Sequence, residues 1–383
     1  MTIPGFTSTG SKRPEALFGA ADGVPLRMTR AFGCRVWDDR GREYLDTVMA
    51  LGAVALGYGH PRVSEAAARA ARDGVVGPLP PVLEGEVAAR LAAALRGVEA
   101  VRFLKTGAEA VAAAVRIARV HTGRAHVVTC GYHGWLDWCQ GVPGVPEAVR
   151  ALRTEVGFND GDALRAALDG PDPVAAVVIE PVVDRAPHPA WLAAARDLTT
   201  RAGAVLVFDE IKTAFRIATG GAAEAYGIVP DLTVVGKGLG NGFPIAAVGG
   251  SRDLMDAATR TWISSTLATE MVGLAAAATV LDVFATERVV QHLASAGRAL
   301  WDGLERLGVR YPSVVAGVRG IPQMCFLKWR HDALGSQVVR AAAGRGLVFK
   351  RNAYNFVSLA HTAEEVAAVL DRLEEALGSV VTC

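Results

Sequence analysis

The chain has 383 residues, 51% of them apolar and 21% charged, with 40 basic against 39 acidic residues and a formal net charge of +1. That length suits a large domain with a smaller companion, and that composition suits a sizeable core rather than a disordered chain. The two signs of charge are interspersed with no Lys/Arg block, which argues against a nucleic-acid or anionic-membrane surface.

The most apolar runs, such as VAAVVIEPVV (174–183), are short and interrupted by Glu180. None approaches the roughly 18–20 apolar residues that cross a bilayer. The opening stretch MTIPGFTSTGSKRPEALFG holds no signal-peptide run. Five cysteines (Cys34, Cys130, Cys139, Cys325 and Cys383) are odd in number and lack metal-ligand spacing, so they read as reduced thiols in a cytoplasmic protein with no bound metal.

In chain order, residues 33–48 read as a hairpin around Asp39-Arg40-Gly41, and Ala-rich stretches at 62–73 and 84–96 read as helices. A strand–turn–helix rhythm follows. VRFLKTG (101–107) leads into a helix, AHVVTCG (125–131) is a short strand, and AAVVIEP (175–181) is a buried one. A helix around 190–202 then precedes the strand AVLVFDE (204–210). Continuous Val/Ile/Leu strands alternating with helices imply a mostly parallel sheet covered on both faces. The stretch 287–312 is helical, GLVFKRN (346–352) and NFVSLAH (355–361) read as strands, and a helix at 362–377 closes a smaller α+β domain.

Ligands in open α/β sheets collect at the carboxyl ends of strands, and three strand ends here carry chemistry. At Lys105-Thr106-Gly107-Ala108-Glu109 a strand gives way directly to a helix. The free N–H groups there form either a phosphate cradle or an ordinary N-cap by Thr106. At Phe208-Asp209-Glu210 two acids leave an apolar strand. Burying them requires a cation or hydrogen-bond donors, which a protonated pyridine nitrogen, a metal or a helix N-terminus would each supply. The third end is PDLTVVGKGLGNGFPIAAVGG (230–250), where Lys237 stands among Gly236, Gly238, Gly240 and Gly242. Desolvation there lowers an amine's pKa and favours imine chemistry. A P-loop is excluded, because Asp231 and Gly238 occupy the places of its first glycine and its Ser/Thr.

Together these segments resemble the class III pyridoxal-phosphate aminotransferases, in their glutamate-1-semialdehyde aminomutase-like branch, from about residue 20 to 375. The resemblance rests on LDTVMALGAVALGYGHPRV (45–63), TGAEAVAAAVRIAR (106–119), CGYHGW (130–135), VIEPVV (178–183), FDEIKTAFR (208–216), the 230–250 segment, SSTLATE (264–270) and FVSLAHT (356–362). It implies a fold-type-I α/β architecture with a seven-stranded-type, mostly parallel sheet between helices. It also implies an N-terminal segment (1–45) that contributes to the small domain, a large cofactor-binding domain (46–285) and a C-terminal α+β domain (286–383).

The resemblance assigns roles as well. Lys237 holds pyridoxal 5′-phosphate (PLP) as a Schiff base and shuttles a proton, and Asp209 pairs with the pyridine nitrogen. Thr106, Gly107 and Ala108 bind the phosphate, Tyr132 stacks on the ring with His133 beside it, and Ile211 packs behind it. Thr266 reaches into the neighbouring subunit's phosphate site, so a homodimer with shared sites is expected. Glu180 and Glu210 are weaker members of the set.

The chain departs from the branch's namesake in two places. The substrate-carboxylate arginine is replaced by Ala16 and a gating glutamate by Ala353, so the cofactor machinery is retained around a rebuilt pocket. Trp135 and Trp138 either line that pocket or pack a surface loop. Lys350 and Arg351 either take a donor carboxylate or are a solvated pair. Cys139 or Tyr354 would supply a second proton in an epimerase or mutase. The short loop after Tyr-His-Gly and the SSTxxTE segment resemble members that act on sugar-like, polyhydroxylated carbonyl compounds, in a setting such as amino-sugar or antibiotic biosynthesis. An aminotransferase on such a small molecule is the expected activity.

Overall fold

The computed structural model describes residues 2–381, which fall into two compact units. One unit joins the residues up to His60 with those from Gln291 onward, and the other is Pro61–Val290.

The first unit opens with β1 (Met28–Phe32), β2 (Arg35–Asp38) and β3 (Glu43–Asp46), an antiparallel meander. Its β2–β3 turn is the hairpin read around Asp39-Arg40-Gly41. Buried Asp38 pins it, accepting the N–H groups of Arg40 and Arg42 (2.9 Å each) and the Tyr44 hydroxyl (2.9 Å).

The second unit holds β4 (Ala100–Leu104), β5 (His126–Cys130), β6 (Arg153–Glu155), β7 (Val174–Ile179), β8 (Val205–Asp209), β9 (Leu232–Val235) and β10 (Ala246–Gly250). They form a seven-stranded sheet in the order β4-β10-β9-β8-β7-β5-β6, parallel except for β10, which runs antiparallel to both neighbours. Every residue of β7, β8, β9 and β10 is buried, because helices cover both faces. On one face Val178, Val207 and Val234 pack against Ala110, Val111, Ala114 and Ile117 of the helix Gly107–Thr122. On the other, Val177, Ile179, Leu206 and Phe208 meet Trp191, Leu192 and Ala195 of the helix Pro189–Ala202. The alternation within each strand is the period-two pattern of a pleated sheet, and each such side chain contributes on the order of 1.5–3 kcal/mol by leaving water.

The chain then returns to the first unit with β11 (Val315–Ile321), β12 (Met324–Trp329), β13 (Leu347–Val348) and β14 (Asn355–Phe356). Two sequence expectations change here. The strands read at 346–352 and 355–361 shrink to two residues each. The loop between them is held by a side chain instead, with Asn355 accepting the Lys350 N–H (2.7 Å) and donating to its carbonyl (3.2 Å). The unit boundaries also fall at 60/61 and 290/291 rather than at 45/46 and 285/286. Residues 46–60 belong with the C-terminal part because β13 pairs in parallel with β3, the Phe356 N–H donates to the Thr47 carbonyl and the Leu359 N–H to the Ala55 carbonyl. Among the described residues no helix is long and apolar enough to cross a membrane, and Cys34, Cys130, Cys139 and Cys325 are free thiols. Cys383 lies outside the described residues.

Candidate active site

Because β10 alone is reversed, the carboxyl ends of β4, β5, β7, β8 and β9 share one edge of the sheet. Thr106, Tyr132, His133, Glu180, Asp209 and Lys237 stand at or just beyond those ends.

Asp209, the last residue of β8, is buried. Its Oδ2 lies 2.9 Å from Nδ1 of buried His133, and its Oδ1 accepts the Ile211 N–H at 3.2 Å. The His133 ring stacks on Trp138 with centroids 6.3 Å apart, and Trp138 packs against the apolar core. Trp138 is therefore a support for His133, while Trp135 is 74% exposed. Tyr132, at 66% exposure, stands free at the same edge.

Lys237 follows β9 in the left-handed region, at φ +43°. A non-glycine residue there is strained, and such strain concentrates at functional sites. Burial lowers its ammonium to about 8, with the Lys212 cation acting in the same direction and the Glu180 and Asp209 carboxylates opposing. Glu180, directly after β7, is buried, accepts the Tyr132 N–H (2.9 Å) and pairs with Lys212 at 2.7 Å. Gly131, at φ +106°, makes room for it, since a Cβ there would stand 2.7 Å from Glu180 Oε2.

At the β4 end, Thr106 is an N-cap within a full capping box. Its hydroxyl accepts the Glu109 N–H (3.2 Å), and Glu109 accepts the Thr106 N–H (2.9 Å). The cap leaves the N–H groups of Gly107 and Ala108 at the first helical positions, where helix geometry supplies no partner. Gly107 faces Ile211, whose Cδ1 would lie 2.5 Å from an added Cβ. The phosphate-cradle and N-cap readings of this turn are therefore compatible.

The aminotransferase class-III family model matches residues 18–377, nearly the whole chain. The chain belongs to the class-III aminotransferase family. Its cofactor is accordingly pyridoxal 5′-phosphate. This class-III protein is 35% identical to a glutamate-1-semialdehyde 2,1-aminomutase of Gemmatimonas aurantiaca, covering 100% of this chain and 95% of that one. It is 28% identical to a 3-aminobutyryl-CoA aminotransferase of Cloacimonas acidaminovorans, over 93% and 90% of the two chains. Among solved structures, the PLP internal aldimine form of the Sphingopyxis sp. MTA144 FumI protein superposes with a TM-score of 0.94 at 27% identity, over 99% and 94% of the chains. An omega-transaminase from Sphaerobacter thermophilus gives 0.90 at 27%, over 99% and 95%.

The remaining residues of the class-III protein sort by location. Glu210 caps a helix, accepting the N–H groups of Ala222 and Ala223 (2.8 Å each) and the Thr213 hydroxyl. Of the roles open to it in the sequence, helix capping is the one observed. Burial pushes its carboxyl up to about 7 against those three donors. Thr266 is exposed. Arg351 and Tyr354 belong to the other unit. There the Arg351 guanidinium donates to Ser336 Oγ at 3.3 Å and lies 3.8 Å from Asp332, so it is not a solvated cation. Tyr354 packs edge-on against Phe326. Cys139 turns its thiol to the Leu136 carbonyl (3.2 Å), and burial raises it to about 11, so it is a poor proton donor near neutrality. Sequence reasoning missed Lys212. Its signal was a lysine three residues past an apolar strand end that already carried two acids.

Proposed function

We propose that this enzyme is an aminotransferase that moves an amino group from an amino-acid-type donor to the carbonyl of a sugar-like or otherwise polyhydroxylated small molecule. Lys237 and Asp209 are its central residues. The observation that carries the reading is Lys237 held in the left-handed region just past β9, with a buried carboxylate fixed by His133 at the end of the neighbouring β8.

The residues present fit the cofactor. Lys237 Nζ is the nucleophilic amine, Asp209 the anion for a cationic ring nitrogen, and the Gly107 and Ala108 N–H groups the anion-binding turn. Gly107 supports this fit because a side chain there would collide with Ile211. When bound, pyridoxal phosphate supplies an electron sink for the carbanion formed at the substrate carbon.

The chain's own residues supply the rest. Asp209 would pair with the ring nitrogen, and His133 fixes the carboxylate's orientation through its Nδ1. Tyr132 and Ile211 would pack against the ring. At a pKa of about 8, roughly a tenth of Lys237 is free amine near neutrality, able to take a proton from the substrate carbon and return it. The replacement of the carboxylate-binding arginine by Ala16 and of the gating glutamate by Ala353 supports an acceptor other than glutamate-1-semialdehyde.

A homodimer with shared sites completes the proposal. Exposed Thr266 reaches the partner's phosphate, and the exposed apolar residues Val75, Val76, Leu79 and Val82 form contact surface. The free thiols support a reducing, cytoplasmic setting.

The test is spectroscopic. Adding amino-acid donors to the PLP-loaded protein should convert its absorption to that of the pyridoxamine form, and a carbonyl acceptor should restore it. A protein that no donor converts overturns the reading. An aminomutase or epimerase is the second reading, favoured by the two aminomutase relatives at 35% and 39% identity. Solvent deuterium entering the substrate without keto product would select it.

A further inference from the structure

Lys237 is not the only lysine at this edge of the sheet. Lys212 stands three residues beyond the end of β8, the strand that neighbours β9. The two strand ends stay in contact beyond the ladder. The Glu210 N–H donates to the Val234 carbonyl at 2.8 Å, and a Cβ on Gly236 would touch Ile211 at 3.7 Å. The Lys212 side chain is turned inward, with 12% of it exposed, onto Glu180 with 7% exposed.

Taking two charges out of water is costly, and a buried pair of this kind is rarely a device for stability alone. Glu180 is also over-determined. It accepts the Tyr132 N–H beyond β5, pairs with Lys212 beyond β8, and lies against Gly131, where no side chain fits. Three strand ends thus hold one ammonium group in place.

We propose that Lys212 is a positioning residue for Lys237, a fixed like charge that Glu180 anchors beside the reactive amine to favour its unprotonated form. A second cation next to a reactive lysine disfavours its protonated form. Four charged groups face Lys237. Lys212 and Arg216, both beyond β8, oppose its protonation, whereas Glu180 beyond β7 and Asp209 on β8 favour it. Burial lowers its pKa most, and Lys212 is the largest charged contribution. The inference rests on Lys237 being the reactive amine and not on which reaction follows, so it stands or falls separately from the aminotransferase reading.

The test uses the full-length apoprotein. Acetic anhydride labels free amines, and peptide mass spectrometry reads the fraction of Lys237 acetylated at each pH. The expected midpoint is near 8 for the parent protein. It should rise by about one unit in Lys212→Gln, which keeps a hydrogen-bond donor for Glu180 but no charge. Lys212→Arg, which keeps the charge, should hold the parent midpoint. An unchanged midpoint in Lys212→Gln overturns the proposal, as does an equal shift in both variants, which would mark a purely structural role. If Lys212→Gln does not fold, the double variant Lys212→Gln/Glu180→Gln removes the pair as a unit. Its midpoint should lie above that of Glu180→Gln alone, because only the Lys212 charge separates the two, and a midpoint equal to or below that of Glu180→Gln overturns the proposal.

Discussion

Replacing His133 by alanine removes the donor that holds Asp209, and the geometry sets the size of the effect. Asp209 is buried, with one oxygen bonded to His133 at 2.9 Å and the other to a backbone N–H at the longer distance of 3.2 Å. A hydrogen bond to a charged group contributes about 1.5–3 kcal/mol, so the variant leaves a buried carboxylate short by roughly that amount. The carboxylate is then less firmly oriented and attracts the cofactor's ring nitrogen less. At about 1.4 kcal/mol per decade, PLP should bind roughly 10- to 100-fold more weakly. Titrating the apoprotein with PLP and following absorbance measures this directly. His133→Asn places an amide donor near the Nδ1 position and should recover most of the affinity. If His133→Ala binds PLP within twofold of the parent while Asp209→Asn does not, the pairing of His133 with Asp209 is not what readies the carboxylate.

Other outcomes follow from the same geometry. Glu210→Ala strands the Ala222 and Ala223 N–H groups and the Thr213 hydroxyl in a buried place, so the unfolding free energy in urea should fall by about 3–5 kcal/mol. Leu79→Asp puts a charge into the exposed 75–82 apolar stretch and should shift the sedimentation coefficient from dimer to monomer; an unchanged dimer would place the interface elsewhere. Buried His361, lowered by burial to about 4 from 6.5, is held neutral in the fold. Its folded pKa lies below the unfolded one, so its contribution is complete above pH 6.5 and is lost as pH falls through 4. At about 1.4 kcal/mol per pH unit that amounts to roughly 3 kcal/mol, and His361→Gln should flatten the acid limb of stability against pH.

The strands of the large sheet were legible because each is a run of buried Val, Ile and Leu between helices. The strand-end positions of Thr106, Asp209 and Lys237 followed from that pattern. The reversed β10 was not legible, because AAVGG reads the same in either direction and only its pairing with β4 and β9 sets its sense. Residues 46–60 were assigned to the wrong unit for a related reason. The backbone partners of Thr47 and Ala55 are Phe356 and Leu359, some three hundred positions later and beyond any local signal. At the site, Thr106 and Glu210 were recognised as capping candidates and the structure uses both as caps. The Glu180–Lys212 pair joins two different strand ends, which no spacing in the chain announces, and the stacking of Trp138 on His133 depends on the path of the loop after β5.

The central claim is that Lys237 carries the cofactor, and one measurement tests it most directly. The PLP-loaded protein is reduced with borohydride, which fixes the lysine–cofactor bond, and is then digested and mapped by mass spectrometry. The account predicts a single modified peptide with the added mass on Lys237. Its appearance on Lys212 or Lys105 instead, with Lys237 unmodified, would contradict it.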